Sequence, residues 1–332
     1  MLARLVLSSI LFISTSLFAE EFFPESIYQL DEKYTHHVII VEKSTHTLYL
    51  YENKNNLPKL VRSFKIATGK RTGNKKAQGD KKTPEGIYFF KRFRPASELV
   101  SAYGKVGLIY GAGAFTMNYP NLIDKKNGKT GSGIWLHSTD NDTRISKGLD
   151  SRGCVVASDA DIKEISKYIE LGNTPIIVTQ NISFLKKGTW DANKTEITET
   201  IVEWAKAWKS NDFETYINQY SVSDFHSDTK GNFYSYKNYK RRVFKRPGEP
   251  EINFRNISIL NFKDYAVVTM LQDYKSKSIN DIGKKTLFLK RNADYEWKII
   301  SEDWESTEES AQGFVPMSRY FKVEVSDDSG SI

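Results

Sequence analysis

Short runs of β-branched and aromatic residues, broken by polar turns, constrain the fold of this chain more than any other feature. Two such runs lie within 38–51, and others occupy 87–93 and 133–137. Runs of this composition, bounded by polar or glycine-containing segments, are typical of β-strands. One helical pattern interrupts them at 158–173, where isoleucines recur at helical spacing. We therefore predict a mainly β first domain at 37–180, with one clear helix.

The pattern changes after a polar connector at 181–196. Apolar side chains then fall on one face of a helix that begins at 197. Several long strand-like runs follow, up to about residue 306. A helical start followed by antiparallel strands predicts an α+β second domain at 197–306. Residues 307–332 are polar and are predicted to form a loose tail.

Residues 1–19 are organised like a secretory signal peptide. Arg4 supplies a positive charge, the stretch 5–18 is apolar, and Ala19 is a small residue suited to cleavage. The apolar stretch is short for a membrane-spanning helix, which needs about 20 residues. We therefore expect an exported protein without stable membrane insertion. Cleavage after Ala19 leaves an N-terminal segment, 20–36, to which the sequence assigns no role.

Charge and cysteine content narrow the classes of function. The chain has 48 lysines and arginines against 41 acidic residues, and no dense basic tract indicates a nucleic-acid partner. The single cysteine, Cys154, cannot form an internal disulfide, which leaves a reactive thiol, an intermolecular bridge or a packed core residue. No histidine, cysteine or acidic cluster has metal-ligand spacing, so we expect no metal and no cofactor. A homodimer is left open.

Cys154 and His137 are candidates for nucleophilic catalysis. His137 ends a predicted strand in "GIWLHST", and Cys154 follows a glycine in "SRGCVV", just before the predicted helix. A neighbouring imidazole can take the thiol proton, and the amides of Gly153 and Cys154 could point at a developing oxyanion. The histidine needs a partner that fixes its tautomer, for which we expect the backbone carbonyl of Ser138. The alternative is a strand-end histidine and a packed thiol.

These segments together resemble the catalytic domain of the L,D-transpeptidases, the YkuD-like family. The resemblance covers roughly 37–180 and also includes "ATGK" and "KKTPEG" in the loop that precedes the strand at 87–93. It implies a cysteine nucleophile that acts on the stem peptides of peptidoglycan. The residues that carry the family motif are His137, Ser151, Gly153 and Cys154.

The sequence departs from the commoner family motif at three positions. Arg152 stands where histidine is commoner, Val156 where many members have arginine, and Ser138 where glycine is usual. The first two departures bear on how the carboxylate of the stem peptide is held. We expect Arg152, Ser151 and Trp135 to contact the substrate.

The second domain resembles the nuclear-transport-factor-two-like, or SnoaL-like, fold, a curved sheet with helices that forms a cone-shaped pocket. With the export signal, the whole chain resembles the cell-shape peptidoglycan L,D-carboxypeptidases of helical ε-proteobacteria. That resemblance implies a periplasmic enzyme that removes the terminal D-alanine from stem tetrapeptides. The alternatives are an L,D-transpeptidase that forms cross-links, and a catalytically inactive module that binds the cell wall.

Overall fold

The structure is a computed structural model that describes residues 20–246, 250–277, 279–307 and 314–321. The predicted signal peptide, 1–19, and much of the predicted tail lie outside these residues. Within the described ranges, no helix is long and apolar enough to cross a membrane.

The first half of the chain is mainly β. Its strands are β1 (Phe22–Pro24), β2 (Ile27–Gln29), β3 (His37–Glu42), β4 (Thr47–Lys54), β5 (Leu57–Lys65), β6 (Thr68–Gly69), β7 (Gly86–Pro95), β8 (Gly113–Met117), β9 (Trp135–His137), β10 (Leu149–Ser151), β11 (Val155–Val156) and β12 (Pro175–Thr179). Its helices are α1 (Ala96–Tyr103), a 3₁₀ helix (Gly104–Tyr110), α2 (Leu122–Lys126), α3 (Thr143–Lys147) and α4 (Asp159–Ser166). Eight strands form one mixed sheet in the order β11–β9–β8–β7–β12–β3–β4–β5.

The second half is α+β, and the predicted fold class is thereby confirmed. Its elements are β13 (Phe184–Lys186), α5 (Lys187–Lys209), α6 (Phe213–Asn218), β14 (His226–Ser227), β15 (Gly231–Asn232), α7 (Phe233–Phe244), β16 (Glu251–Phe262), β17 (Tyr265–Lys275), β18 (Asn280–Arg291) and β19 (Trp297–Ser306). Four of these strands and β2 form an antiparallel sheet in the order β19–β18–β17–β16–β2.

The central strand β3 shows how the two domains share their cores. Alternate residues of a strand point to opposite faces. Ile39 and Val41 belong to a core cluster with the isoleucines of α4, whereas Val38 and Ile40 pack with apolar side chains of β16 and β17. The strand is therefore covered on both faces, which explains its continuous run of apolar residues.

The N-terminal segment 20–36 joins the second domain although it precedes the first. Within it, β1 pairs with β13 and β2 forms the edge of the second sheet. The indole of Trp190 donates a hydrogen bond of 2.9 Å to the carbonyl of Ile27. Strand β2 and the shared core hold the two domains together.

The helices differ from the predictions at two boundaries and in their number. Residues 187–196, predicted as connector, form the first turns of α5, because Trp190 is buried against the N-terminal segment. The predicted helix at 158–173 ends at Ser166, after which the backbone makes tighter turns with hydrogen bonds between residues three apart. Helix α1 and the 3₁₀ helix after it were not predicted.

The prediction of a loose tail is wrong for residues 314–321. Phe314 stacks on the His36 ring with a centroid distance of 3.5 Å, and Tyr320 and Phe321 each lie 5.1 Å from the Phe93 ring. The tail 307–332 is polar on average, but residues 314–321 are mostly apolar, and three of their aromatic side chains pack against the rest of the protein.

Candidate active site

Strand register places Cys154 and His137 on one face. β11 runs parallel to β9, with Val155 opposite Leu136 and Val156 opposite His137. Leu136 and Val155 are fully buried in the core. Since neighbours along a strand face opposite ways, His137 points away from that core, and Cys154, one residue before β11, points the same way.

His137 is held in one tautomer by its own backbone neighbour. Its side chain is buried, and Nδ1 lies 2.5 Å from the carbonyl oxygen of Ser138. The Tyr110 ring packs edge-on against the imidazole, with centroids 4.9 Å apart. A proton donated from Nδ1 to the carbonyl leaves Nε2 free to accept one. Burial lowers the pKa of His137 to about 4, so the imidazole is neutral at physiological pH.

Ser138 ties the end of β9 to the segment after the 3₁₀ helix. Its hydroxyl donates to the carbonyl of Tyr110 at 2.9 Å and accepts from the amide of Ala112 at 2.6 Å. Gly111 lies between them at φ 51°, and a Cβ atom there would collide with the Ser138 hydroxyl. The serine at the position where the family usually has glycine therefore has a structural role besides its carbonyl.

The Cys154 thiol is protonated in the resting structure. The residue is half-buried, and its Sγ lies 3.5 Å from the carbonyl oxygen of Gly133. Burial raises the pKa of the thiol to about 11, against smaller opposing effects of the Trp135 backbone and the charges of Arg144 and Lys75. Both shifts favour the neutral forms of the thiol and the imidazole at neutral pH, so an attack by the sulfur requires its proton to be taken up by a base.

In the loop before Cys154, two groups that we had expected to contact the substrate or an oxyanion are hydrogen-bonded within the loop itself. The Ser151 hydroxyl accepts a hydrogen bond from the Gly153 amide at 3.0 Å and donates one to the Cys154 carbonyl at 2.6 Å. The buried Ser151 thus positions the loop rather than a substrate. The Gly153 amide is likewise occupied, which corrects its expected role at an oxyanion. Among described residues, the Cys154 amide has no hydrogen-bond partner and remains available.

Gly153 is needed for its conformation. Its φ is 131°, and a Cβ atom would lie 2.8 Å from the Lys82 carbonyl oxygen. We expect Gly153→Ala to shift Cys154 and lower kcat/KM by about 10²-fold, because small displacements of reacting groups are costly. The measurement is kcat/KM on the peptidoglycan fragments that the family resemblance implies as substrate, together with thermal unfolding.

Gly128→Ala is the matched control. Gly128 also has a positive φ, 66°, but a Cβ atom there meets nothing within 4 Å. It should add backbone strain of about 1 kcal/mol without loss of activity. Equal activity loss in both variants would contradict the positional role of Gly153.

The remaining predicted substrate residues lie at the rim of the site. Arg152 is exposed and lies in the loop between Ser151 and Cys154. Trp135 is half-buried, with the Tyr110 ring 5.1 Å away and the Arg94 guanidinium 5.1 Å from its ring centroid. Tyr103 extends this aromatic wall at 6.4 Å. Arg152 and Trp135 are thus placed where a substrate could reach them.

Two residues of the site were missed from the sequence. Tyr110 reaches His137 from the unpredicted 3₁₀ helix, and no local pattern indicates that contact. Arg144 lies between the two candidate catalytic residues in the sequence, and its position was the only available signal. Its guanidinium contacts three segments around the site.

The second domain contains a buried charge cluster that sequence reasoning also missed. Glu302 lies 2.7 Å from Lys285 and 3.7 Å from Lys240, and it accepts hydrogen bonds from Tyr236 and Tyr220 at 2.6 and 3.0 Å. Burial alone would raise the pKa of Glu302, but the two lysines outweigh it and hold that pKa at about 2. Burial lowers the pKa of Lys240 to about 8. Two cations thus share one carboxylate.

No group of three or more histidine, cysteine and acidic residues that could hold a metal ion is found in the described part of the chain.

Comparison with known proteins defines the family. The L,D-transpeptidase catalytic domain (YkuD) matches residues 36–178, and the Cds6 C-terminal NTF2-like domain matches residues 196–303. The structure of Bd1075 from Bdellovibrio bacteriovorus is 31% identical, over 87% of this chain and 100% of that chain, with a TM-score of 0.74. The chain belongs to the L,D-transpeptidase (YkuD) family. The family resemblance predicted from the sequence is thereby confirmed, and this member acts on peptidoglycan.

A second protein with the same two-domain fold is Pgp2 from Campylobacter jejuni, a helical cell shape determining protein. It is 25% identical, over 83% of this chain and 95% of that chain, with a TM-score of 0.64. A point mutant of Pgp2 has the same fold, with a TM-score of 0.63 over 84% of this chain and 94% of that chain, at 24% identity. No curated protein gives a significant match.

Proposed function

We propose that the protein is a cysteine-dependent L,D-carboxypeptidase that removes the terminal D-alanine from peptidoglycan stem tetrapeptides in the periplasm. The observation that carries the proposal is that Cys154, directly before β11, and His137, at the end of the adjacent β9, lie on the same face, with the Ser138 carbonyl at Nδ1 of the histidine. Nε2 of the imidazole is then free to exchange a proton with the sulfur. The similarity to Pgp2 supports a role in cell shape.

In the first half-reaction, Sγ of Cys154 attacks the carbonyl carbon between meso-diaminopimelate and D-alanine. The thiol proton moves to Nε2 of His137 as the C–S bond forms. The tetrahedral oxyanion lies against the free Cys154 amide, since the neighbouring amide is used within the loop. The C–N bond then breaks, His137 returns the proton to the amine, and D-alanine leaves a thioester.

In the second half-reaction, water attacks the thioester. His137 takes a proton from the water and delivers it to the departing sulfur, which restores the thiol and releases the tripeptide. If the side-chain amine of a second stem peptide replaces water, the product is a cross-link. The two outcomes share the acyl-enzyme, and the family name alone favours the amine. We propose water because of the likeness to a cell-shape protein.

The test is a digest of purified disaccharide tetrapeptides, resolved by mass spectrometry, with Cys154→Ala as control. The proposal predicts tripeptide monomers and an equal amount of free D-alanine from the unaltered protein only. Cross-linked dimers with a tripeptide donor would instead establish a transpeptidase. Binding of the muropeptides without any product would establish an inactive wall-binding module.

A further inference from the structure

Arg144 makes polar contacts with three separate segments around the site. It lies on the short helix α3, and its side chain is 17% exposed. Nε lies 2.5 Å from a carboxylate oxygen of Asp150. One terminal nitrogen donates to the Ile109 carbonyl at 3.0 Å and to the Thr139 hydroxyl at 3.3 Å. Such a planar fork fixes several acceptors at once, which a lysine cannot reproduce.

Two of these contacts lie beside the groups that hold His137. Ile109 directly precedes Tyr110, whose ring packs against the imidazole. Thr139 directly follows Ser138, whose carbonyl oxygen lies at Nδ1. One guanidinium therefore connects the ring that covers the histidine to the backbone that orients it.

The third contact lies beside the loop that holds the thiol. Asp150 directly precedes Ser151, whose hydroxyl bonds to both the Gly153 amide and the Cys154 carbonyl. The ion pair of Arg144 and Asp150 thus links α3 to the last strand before the nucleophile. The three contacts together connect both halves of the catalytic pair.

We propose that Arg144 is a positioning residue for the reaction: its guanidinium fixes the His137 and Cys154 segments relative to each other, and its charge, tempered by Asp150, favours the sulfur anion. The inference rests on the proposed cysteine chemistry but not on whether water or an amine accepts the acyl group.

The electrostatic part of the inference follows from the groups around the sulfur. The titratable and charged side chains that act on the thiol or on the adjoining Tyr110 hydroxyl are those of Lys75, Arg94, Tyr103, Tyr110, Arg144 and Arg152, and those of His137 and Asp150 lie in the same region. After burial and the Trp135 backbone, the Arg144 charge acts most strongly on the thiol, and it lowers the thiol pKa. It also lowers the pKa of His137. Because Arg144 acts on both groups, turnover would mix its two effects. A measurement of thiol ionisation alone reports its effect on the sulfur.

The test is the rate of alkylation by iodoacetamide at pH 8, which reports on one sulfur because Cys154 is the only cysteine. At a pH below the thiol pKa, the alkylation rate follows the thiolate fraction, which falls about tenfold when the pKa rises by about one. We expect Arg144→Gln to slow alkylation by roughly three- to tenfold and Asp150→Asn to accelerate it by a similar factor. Arg144→Lys keeps the charge and should alkylate at the unaltered rate.

A comparison of kcat with the alkylation rate separates the geometric role of Arg144 from the effect of its charge. Arg144 does not need to touch substrate, so both Arg144 variants should lower kcat by on the order of 10²-fold with little change in KM. The lysine variant should therefore combine normal alkylation with low kcat. Arg62→Gln is the matched control, because Arg62 is 60% exposed and lies 4.0 Å from Glu164. It should change neither readout.

Several outcomes would overturn the inference. Alkylation rates that move in the same direction in Arg144→Gln and Asp150→Asn, or that do not move, contradict the charge effect. Unchanged kcat in Arg144→Lys contradicts the geometric effect. If Arg144→Gln fails to fold, the lysine and asparagine variants still decide both points. If the unaltered protein is not alkylated under native conditions, the proposed cysteine chemistry fails instead, independently of Arg144.

Discussion

Replacing His137 with alanine is expected to lower kcat/KM for D-alanine release by about 10³- to 10⁴-fold at pH 7. The reason is the pKa of the Cys154 thiol, which burial raises to about 11. Without a base, only about one molecule in 10⁴ carries a thiolate at pH 7. Cys154→Ala should be at least as damaging. The double variant should be no worse than the single ones, because the two groups act as a unit.

The unaltered enzyme and His137→Ala should differ in how kcat/KM depends on pH. The pKa of His137 lies at about 4, so the unaltered enzyme should lose kcat/KM only below about pH 5, as the imidazole becomes protonated. In His137→Ala the remaining activity should instead rise about tenfold per pH unit from pH 7 toward pH 10, as the thiolate forms directly. The measurement is kcat/KM across this range.

His226→Ala is the control, because His226 is exposed in the second domain. It should match the unaltered protein at every pH. A His137→Ala variant that keeps more than about a tenth of the activity at pH 7 would contradict the role of His137 as base.

Removal of the Glu302 carboxylate is expected to destabilise the second domain strongly. Glu302→Ala leaves two lysine charges, Lys285 and Lys240, buried without a counter-ion, and it removes the charged acceptor of the Tyr236 and Tyr220 hydroxyls. Breaking a buried pair in this way costs about 3–5 kcal/mol of unfolding free energy. Urea unfolding at pH 7 measures it.

The pH dependence of stability should change with the same variant. The folded-state pKa of Glu302, about 2, lies below its ordinary value of 4.5. Its contribution is therefore complete above pH 4.5 and is lost as pH falls toward 2. That loss should be absent from Glu302→Ala.

Two further variants show that the missing counter-ion is the cause. Adding Lys240→Met to Glu302→Ala removes one unpaired cation and should recover part of the stability. Glu296→Ala, at an exposed position just before the same strand, should leave the unfolding midpoint unchanged. Equal stability of Glu302→Ala and the unaltered protein would contradict the cluster's structural role.

Local patterns in the sequence were sufficient for elements whose cause is local. The continuous apolar runs of β3 and β12 predict buried strands because both of their faces are covered. The isoleucines of α4 predict a helix because their spacing matches one helical face. The position of Cys154 before a helix follows from α4, and the position of His137 at a strand end follows from the short apolar run at 133–137 that contains β9.

Features that depend on distant partners were beyond such patterns. β2 pairs with β16, more than two hundred residues away, and nothing near Ile27 indicates that partner. Lys240 begins a run of three basic residues in α7, a pattern that is typical of a solvated surface. Its own side chain is nevertheless buried, because it pairs with the distant Glu302. The sequence predicted that the Gly153 amide points at an oxyanion. It could not show that the Ser151 hydroxyl accepts a hydrogen bond from this amide, because that contact depends on how the loop folds.

The central claim, a thioester on Cys154, is tested most directly by intact-mass spectrometry. The protein is mixed with excess disaccharide tetrapeptide, quenched in acid within milliseconds to seconds, and compared with Cys154→Ala treated in the same way. We predict an adduct whose mass equals the substrate minus D-alanine, located on the peptide that contains Cys154, and no adduct or D-alanine release in the variant. Release of D-alanine by Cys154→Ala at the rate of the unaltered protein would contradict the account.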